Sequence, residues 1–174
     1  DVGRRKDLSV LVVIALVGSI AYILAVHEMK RTAFKLQRKT LAALRGAYQW
    51  DSLHVDSTGL GTQLAEELVE AWGESEVTPV QFTAPAKESL VTGAFRWLAA
   101  NALRFPLDES GAALADEGKS IHRTITTSGN VSYTAPSIEG SHADRWTALC
   151  LALAGAGEPR AHRGVSTSPL VQPQ

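Results

Sequence analysis

From Leu8 to Val26 the chain runs nineteen residues without a charged side chain, directly behind Arg4-Arg5-Lys6-Asp7. Such a run has two physical outlets, a membrane-crossing helix or strands buried on both faces. Its length and basic flank suit the first. Its residues favour the second. Val10, Val12, Val13, Ile14, Val17, Ile20, Ile23 and Val26 are β-branched and fit a pleated, buried surface. Gly18-Ser19 breaks the run at its middle, between halves of ordinary strand length. A β-hairpin is therefore expected. A protein anchored in a membrane through Leu8–Val26 is the less favoured alternative, and His27-Glu28-Met29-Lys30 makes a poor secretory cleavage site.

A second stretch carries the chemistry. Leu53-His54-Val55-Asp56-Ser57-Thr58-Gly59-Leu60-Gly61 reads as a short buried strand that ends on a carboxylate and turns through glycines into a helix. Leu60, Leu64, Leu68 and Trp72 then recur on one helical face. Sheets built from such units bind ligands outside the carboxyl ends of their strands, where Asp56 stands. The plainer role for Asp56 is a cap on the helix that follows.

With 174 residues, 45 % of them hydrophobic, the chain is expected to form one domain with a real core. A net charge of −1 excludes a dedicated, strongly basic nucleic-acid binder, but the charge is unevenly placed. Residues 1–45 carry nine Lys and Arg against Asp1, Asp7 and Glu28, a net +6, and the remainder carries −7. That division permits a basic face apart from an acidic edge, although Lys35, Arg38 and Lys39 read first as a solvated helix face. Cys150 is the only cysteine, which excludes a disulfide framework and a thiolate zinc cluster. Its neighbours Leu149, Leu151 and Leu153 point to a small buried thiol.

The rest of the chain alternates. A helix is expected from about Thr32, its N-cap, to Arg45, with Phe34, Leu41, Leu44 and Tyr48 turned inward. Val77–Phe82 is a strand placed near an edge by Pro79, and Pro85 opens a helix with an apolar stripe of Leu90, Ala94, Trp97 and Leu98. Phe105-Pro106-Leu107 is an extended link and Ala112–Lys119 a short helix. Ile121–Ala135 forms a second hairpin around Ser128-Gly129-Asn130. A final helix follows Asp144 to about Ala154, burying Trp146, Leu149, Cys150 and Leu153. The expected fold is α/β, a mixed sheet with helices on both faces and an additional hairpin. Residues 1–156 form the domain, and 157–174, without apolar period, a disordered tail.

Acids recur at the edges of these elements, in Asp1-Val2-Gly3, Val55-Asp56-Ser57 and His142-Ala143-Asp144. Gathered carboxylates repel one another unless cations bind between them, and their hard oxygens suit Mg²⁺ or Mn²⁺. Two such ions can together drive phosphodiester hydrolysis. His142 is open to three roles, as an outer ligand, a phosphate contact or a neighbour of the helix cap.

Five segments, taken in order, resemble the C-terminal nuclease domain of tailed-phage terminase large subunits, of the Mu-like prophage type. They are Asp1–Ser9, Val55–Gly61, Phe82–Leu90, Ser128-Gly129 and His142–Leu149, and the resemblance covers about residues 1–154. It implies an RNase H-like fold in which Asp1, Asp56 and Asp144 bind two divalent metals, Mg²⁺ or Mn²⁺. It also implies a hydrolase that cuts concatemeric double-stranded phage DNA during packaging. Asp7 and His142 would be accessory ligands, a surface aspartate being the favoured reading of Asp7, and Lys87 and Arg145 candidate DNA contacts, with a solvated helix start the other reading of Lys87 and a complement to the acids that of Arg145. In a full terminase the partners would be an ATPase domain, the portal and the small subunit, in the cytoplasm of the bacterial host. Many terminases carry His-Asp-Asp where this chain has His142-Ala143-Asp144, which removes one ligand.

No Gly-x-x-x-x-Gly-Lys-[Ser/Thr] loop occurs, so ATP hydrolysis is not expected of this chain. Asp1 stands beside an α-amino group and lacks the strand that would brace it, so a weakened first-metal site is expected. The alternative function is a catalytically silent prophage fragment that serves only as a folding or interaction domain.

Overall fold

The computed structural model describes residues 8–125, 131–135 and 143–159. In chain order the elements are β1 (Leu8–Val17), β2 (Ile20–Lys30), α1 (Phe34–Tyr48), β3 (Leu53–Asp56), α2 (Gly61–Trp72) and β4 (Val77–Val80). There follow α3 (Ala84–Ala99), β5 (Leu103–Arg104), α4 (Glu109–Lys119), β6 (His122–Ile125), β7 (Val131–Thr134) and α5 (Asp144–Ala156).

The uncharged run is the expected hairpin. β1 and β2 pair antiparallel from Leu8 opposite Lys30 to Val17 opposite Ile20. Gly18, at φ +64°, opens the two-residue loop. A two-residue loop with positive φ at its first central position matches the twist of the flanking strands. The register slips once, since Val13 faces Ala25 but Ile14 faces Ile23, which leaves Leu24 as the extra, exposed residue of a bulge. Among the described residues no helix is long and apolar enough to cross a membrane.

β1 explains its own composition. Leu8, Val10 and Val12 enter one core with Trp97 of α3, Leu114 of α4 and Trp146 and Leu149 of α5. Leu11 and Val13, on the alternate face, enter a second core with Leu41 of α1 and Leu64 and Leu68 of α2. A strand buried on both faces reads as a continuous apolar run rather than an alternating one.

The strands are joined as β1-β2-β5, β3-β4 and β6-β7. The pairing is mixed, with β1–β2 and β6–β7 antiparallel and β2–β5 and β3–β4 parallel. Pro79 lies on β4, which has β3 as its one described neighbour, the edge position that a missing N–H tolerates.

Several boundaries differ from expectation. α1 starts at Phe34 without a side-chain cap, because the Thr32 hydroxyl donates back to the Lys30 carbonyl. Leu60 precedes α2 and is exposed, and Leu98 falls off the buried side of α3. α4 begins earlier than Ala112 because the Asp108 carboxylate accepts the Gly111 N–H at 3.0 Å. Leu103–Arg104, read as part of a link, pairs with Ala21 and Tyr22 of β2. The loop between β6 and β7 and most of the expected tail lie outside the described residues.

Candidate active site at the carboxyl edge of β3

Asp56 is the last residue of β3 and only 7 % exposed. Its Oδ1 accepts the Thr58 N–H at 2.8 Å, closing a local turn. It does not cap α2, whose N-cap position is Leu60 with no side-chain bond. The turn is tied to β4 on the other side. Ser57 N–H donates to the Val80 carbonyl, and Phe82 N–H donates to Thr58 Oγ1 at 2.8 Å. Gly59, at φ +56°, then lets the backbone turn into α2.

Asp144 opens α5 and is 8 % exposed. A carboxylate in the first turn is favoured by the unpaired N–H groups and dipole of the helix. Ala143 before it takes a left-handed conformation, φ +63°.

Two contacts fix the direction of α5. At its far end, a Cβ on Gly155 would stand 2.7 Å from Cδ2 of His54, near the start of β3. At its near end, Arg145 Nε donates to Glu28 Oε1 at 2.6 Å, and Glu28 pairs with Val10 near the start of β1. α5 therefore runs antiparallel to β3, and β1 runs antiparallel to β3. The start of β1, the end of β3 and the first turn of α5 share one edge, and Asp56 and Asp144 both lie there. Lys87, in the first turn of α3 just past β4, stands 5.6 Å from the centre of the Phe82 ring and is exposed.

The first turn of α5 is braced by residues that pattern alone did not single out. Glu117 of α4 receives Arg145 Nη1 at 2.5 Å on one carboxylate oxygen and the Trp146 N–H at 3.0 Å on the other. Burial works to lower the Arg145 pKa, but Glu28 and Glu117 outweigh it and hold it above the ordinary arginine value. Arg145, for which the sequence leaves both a DNA contact and a complement to acids open, has its guanidinium on the carboxylates of Glu28 and Glu117. Its nearest sequence signal was only that α4 and α5 are both helices. Burial lowers the pKa of His54, at the far end of α5.

Asp1, Asp7 and His142 lie outside the described residues. Among the described residues no group of three or more His, Cys, Asp and Glu side chains is gathered that could hold a metal ion. The carboxylate oxygens of Asp56 and Asp144 are the hard donors that Mg²⁺ and Mn²⁺ take.

Comparison with known proteins agrees with this architecture. The family described as "Terminase RNaseH-like domain" matches residues 1–155. The large terminase nuclease from thermophilic phage G20c, in a crystal structure with bound magnesium, superposes with a TM-score of 0.71 at 27 % identity, over 88 % of this chain and 77 % of that one. The large terminase nuclease domain of Thermus phage P74-26 superposes with a TM-score of 0.56 at 21 % identity, over 83 % and 77 %. The G20c nuclease with bound cobalt shares the fold at 22 % identity, a TM-score of 0.61, and 87 % and 83 % coverage. No curated protein matches the chain.

Proposed function

The chain belongs to the terminase RNase H-like domain family, and from that premise we propose that it is a divalent-metal-dependent endonuclease acting on double-stranded DNA during phage packaging. The observation that carries the reading is the burial of Asp56 and Asp144, each more than nine-tenths buried, one at the end of β3 and the other at the start of α5. The Thr58 amide holds Asp56, and Asp144 is set in the first turn of α5, so both carboxylates have fixed surroundings. Their hard oxygens suit Mg²⁺ or Mn²⁺.

Asp56, Asp144 and, from the sequence, Asp1 would hold two ions, with Asp7 and His142 as accessory ligands. Bound there, the ions supply Lewis acidity and lower the pKa of a water for in-line attack on a phosphodiester. The chain's own part is to fix the donors. The Thr58 amide orients the Asp56 carboxylate, and the Arg145–Glu117 brace sets the first turn of α5 beneath Asp144. Lys87, exposed past the carboxyl end of β4, is assigned to a DNA phosphate. The setting is a packaging terminase in the host cytoplasm, with an ATPase domain, the portal and the small subunit as partners.

The test is plasmid cleavage in Mn²⁺ by the parent, Asp56→Asn and Asp144→Asn, with metal binding followed by calorimetry. The expected outcome is cleavage by the parent and at least a hundredfold loss in each variant, with weakened metal binding. Equal cleavage by all three would place the activity elsewhere. Metal binding without cleavage in the parent would favour a silent interaction domain.

A further inference from the structure

From Met29 to Trp50 the chain carries six cations, Lys30, Arg31, Lys35, Arg38, Lys39 and Arg45, and no acid. The structure divides them. Arg38 donates to Glu67 of α2 at 2.7 Å, and Arg45 holds Glu76 through two bonds. Those two tie α1 to its neighbours. Helical spacing places Lys35 and Lys39 opposite the buried Gln37 and Leu41, and both lysines are exposed. Among the described residues Arg31, Lys35 and Lys39 meet no carboxylate. No acid lies in the first turn of α1 to neutralise Lys35.

These cations begin beside the candidate site. Lys30 ends β2 opposite Leu8, the start of β1. Its Nζ lies 3.8 Å from Oε2 of Glu28, whose other oxygen holds Arg145, the residue after Asp144. The turn that follows is fixed. Arg31 takes φ +51°, a conformation that residues other than glycine seldom adopt. Around it the Thr32 hydroxyl donates to the Lys30 carbonyl, and Nε2 of the buried Gln37 donates to the Thr32 carbonyl at 2.7 Å. Lys30, Arg31 and Lys35 therefore share one corner next to the start of α5. Lys39 continues it along α1 by one helical turn, about 6 Å.

We propose that this corner between β2 and α1 holds the sugar-phosphate backbone of duplex DNA beside the acidic edge. Lys30, Arg31 and Lys35 take the phosphates nearest the cut, and Lys39 takes one farther along the strand. Exposed cations without a carboxylate partner gain affinity by releasing the counterions of DNA, and they position the duplex without reading its sequence. Successive phosphates of one strand advance about 3.4 Å along the duplex axis, so Lys35 and Lys39 are spaced for contacts about two phosphates apart. The inference rests on the nuclease reading for what happens to the DNA, and binding is therefore tested apart from cleavage.

The probe is a short labelled duplex, titrated with the full chain in EDTA across a salt series and followed by fluorescence anisotropy. Lys35→Gln/Lys39→Gln should bind at least tenfold more weakly and lower the salt slope of log Kd by about 1.8, two phosphates at about 0.9 each. Arg31→Gly removes the charge and relieves the left-handed backbone, so binding should weaken while the melting temperature holds or rises. The control is Arg96→Gln/Arg104→Gln, which removes equal charge away from the corner. Arg96 pairs with Glu158 past the end of α5, and Arg104 lies opposite Tyr22 near the start of β2. The control should bind like the parent. Equal weakening by the control, or corner variants that bind like the parent, would overturn the corner. So would a parent that binds no duplex, or one that prefers a single strand of the same length. Polyglutamate that displaces the duplex as readily as DNA of equal charge would mark a site for acidic protein and overturn it too. Cleavage in Mn²⁺ by the parent and Asp56→Asn decides the nuclease reading separately, since that reading can fail with corner binding intact and survive with corner binding lost.

Discussion

Glu117 grips the start of α5 twice, taking the Arg145 guanidinium on one oxygen and the Trp146 backbone amide on the other. The carboxylate belongs to α4, so the geometry of Asp144 depends on a residue 27 positions earlier in the sequence. Glu117→Ala removes both bonds and leaves Arg145 half-buried beside Glu28 alone. A loss of about 2–3 kcal/mol is expected from charge-assisted bonds of this kind, measured by urea unfolding. A double-mutant cycle with Arg145→Ala should return much less than the sum of the two single losses.

Asp56 and Asp144 give a readout that needs no DNA. If they hold metal, millimolar Mn²⁺ raises the melting temperature of the parent by mass action on the folded state. Asp56→Asn and Asp144→Asn should each lose most of that rise. A rise of equal size in both variants would detach metal binding from this edge.

Burial lowers the pKa of both His27 and His54. In the unfolded chain these imidazoles protonate near pH 6.5, while in the folded chain they stay neutral to lower pH. The unfolded state then binds more protons, so stability is retained above pH 6.5 and falls on acidification below it. Urea midpoints at pH 7.5 and 5.5 should show that fall, and His54→Gln should shrink it.

Cys150 titrates in the opposite sense. Burial pushes its thiol up to about 12, from an ordinary 9.0. Between these values the unfolded chain has lost the proton that the folded chain keeps, so stability falls as pH rises, by up to about 1.4 kcal/mol per unit. In the native protein at pH 8 a thiol reagent should react slowly, and at the full rate once urea is added.

Gly155 and His54 are close enough to exclude a methyl group. Gly155→Ala puts Cβ 2.7 Å from the imidazole, and overpacking of this sort costs about 1–3 kcal/mol. Pairing it with His54→Ala should restore most of the loss if the ring is the obstacle. No restoration would place the obstacle in Ser52 or the backbone.

Much of this was legible in the residues because it is local. β-branched density and Gly18-Ser19 announce the hairpin, and the apolar spacing of Trp146, Leu149, Cys150 and Leu153 announces α5. Asp56 and Asp144 stood out because each ends or opens a regular element. What escaped depends on distant partners. Two residues of β5 have no periodicity and exist as a strand only because β2 offers them an edge. The bulge at Leu24 leaves no local mark, since Val13, Ile14, Ile23 and Leu24 are all apolar. Leu60 and Leu98 carry the right residue type one step outside the buried face. Glu117 and Glu28 looked like any surface acids until α4, α5 and β2 brought them to Arg145. Asp1, Asp7 and His142, outside the described residues, stand on sequence alone.

β1 is the common wall of both cores, with Leu8, Val10 and Val12 on one side and Leu11 and Val13 on the other. A single residue inserted between Val10 and Val13 would turn every following side chain to the wrong core at once. The same insertion beside Gly18, past the bulge where Leu16 and Val17 already meet solvent, would disturb neither. The hairpin is thus a ruler with one rigid end and one forgiving end. Length variation among chains that share this architecture should gather at the tip and spare the root.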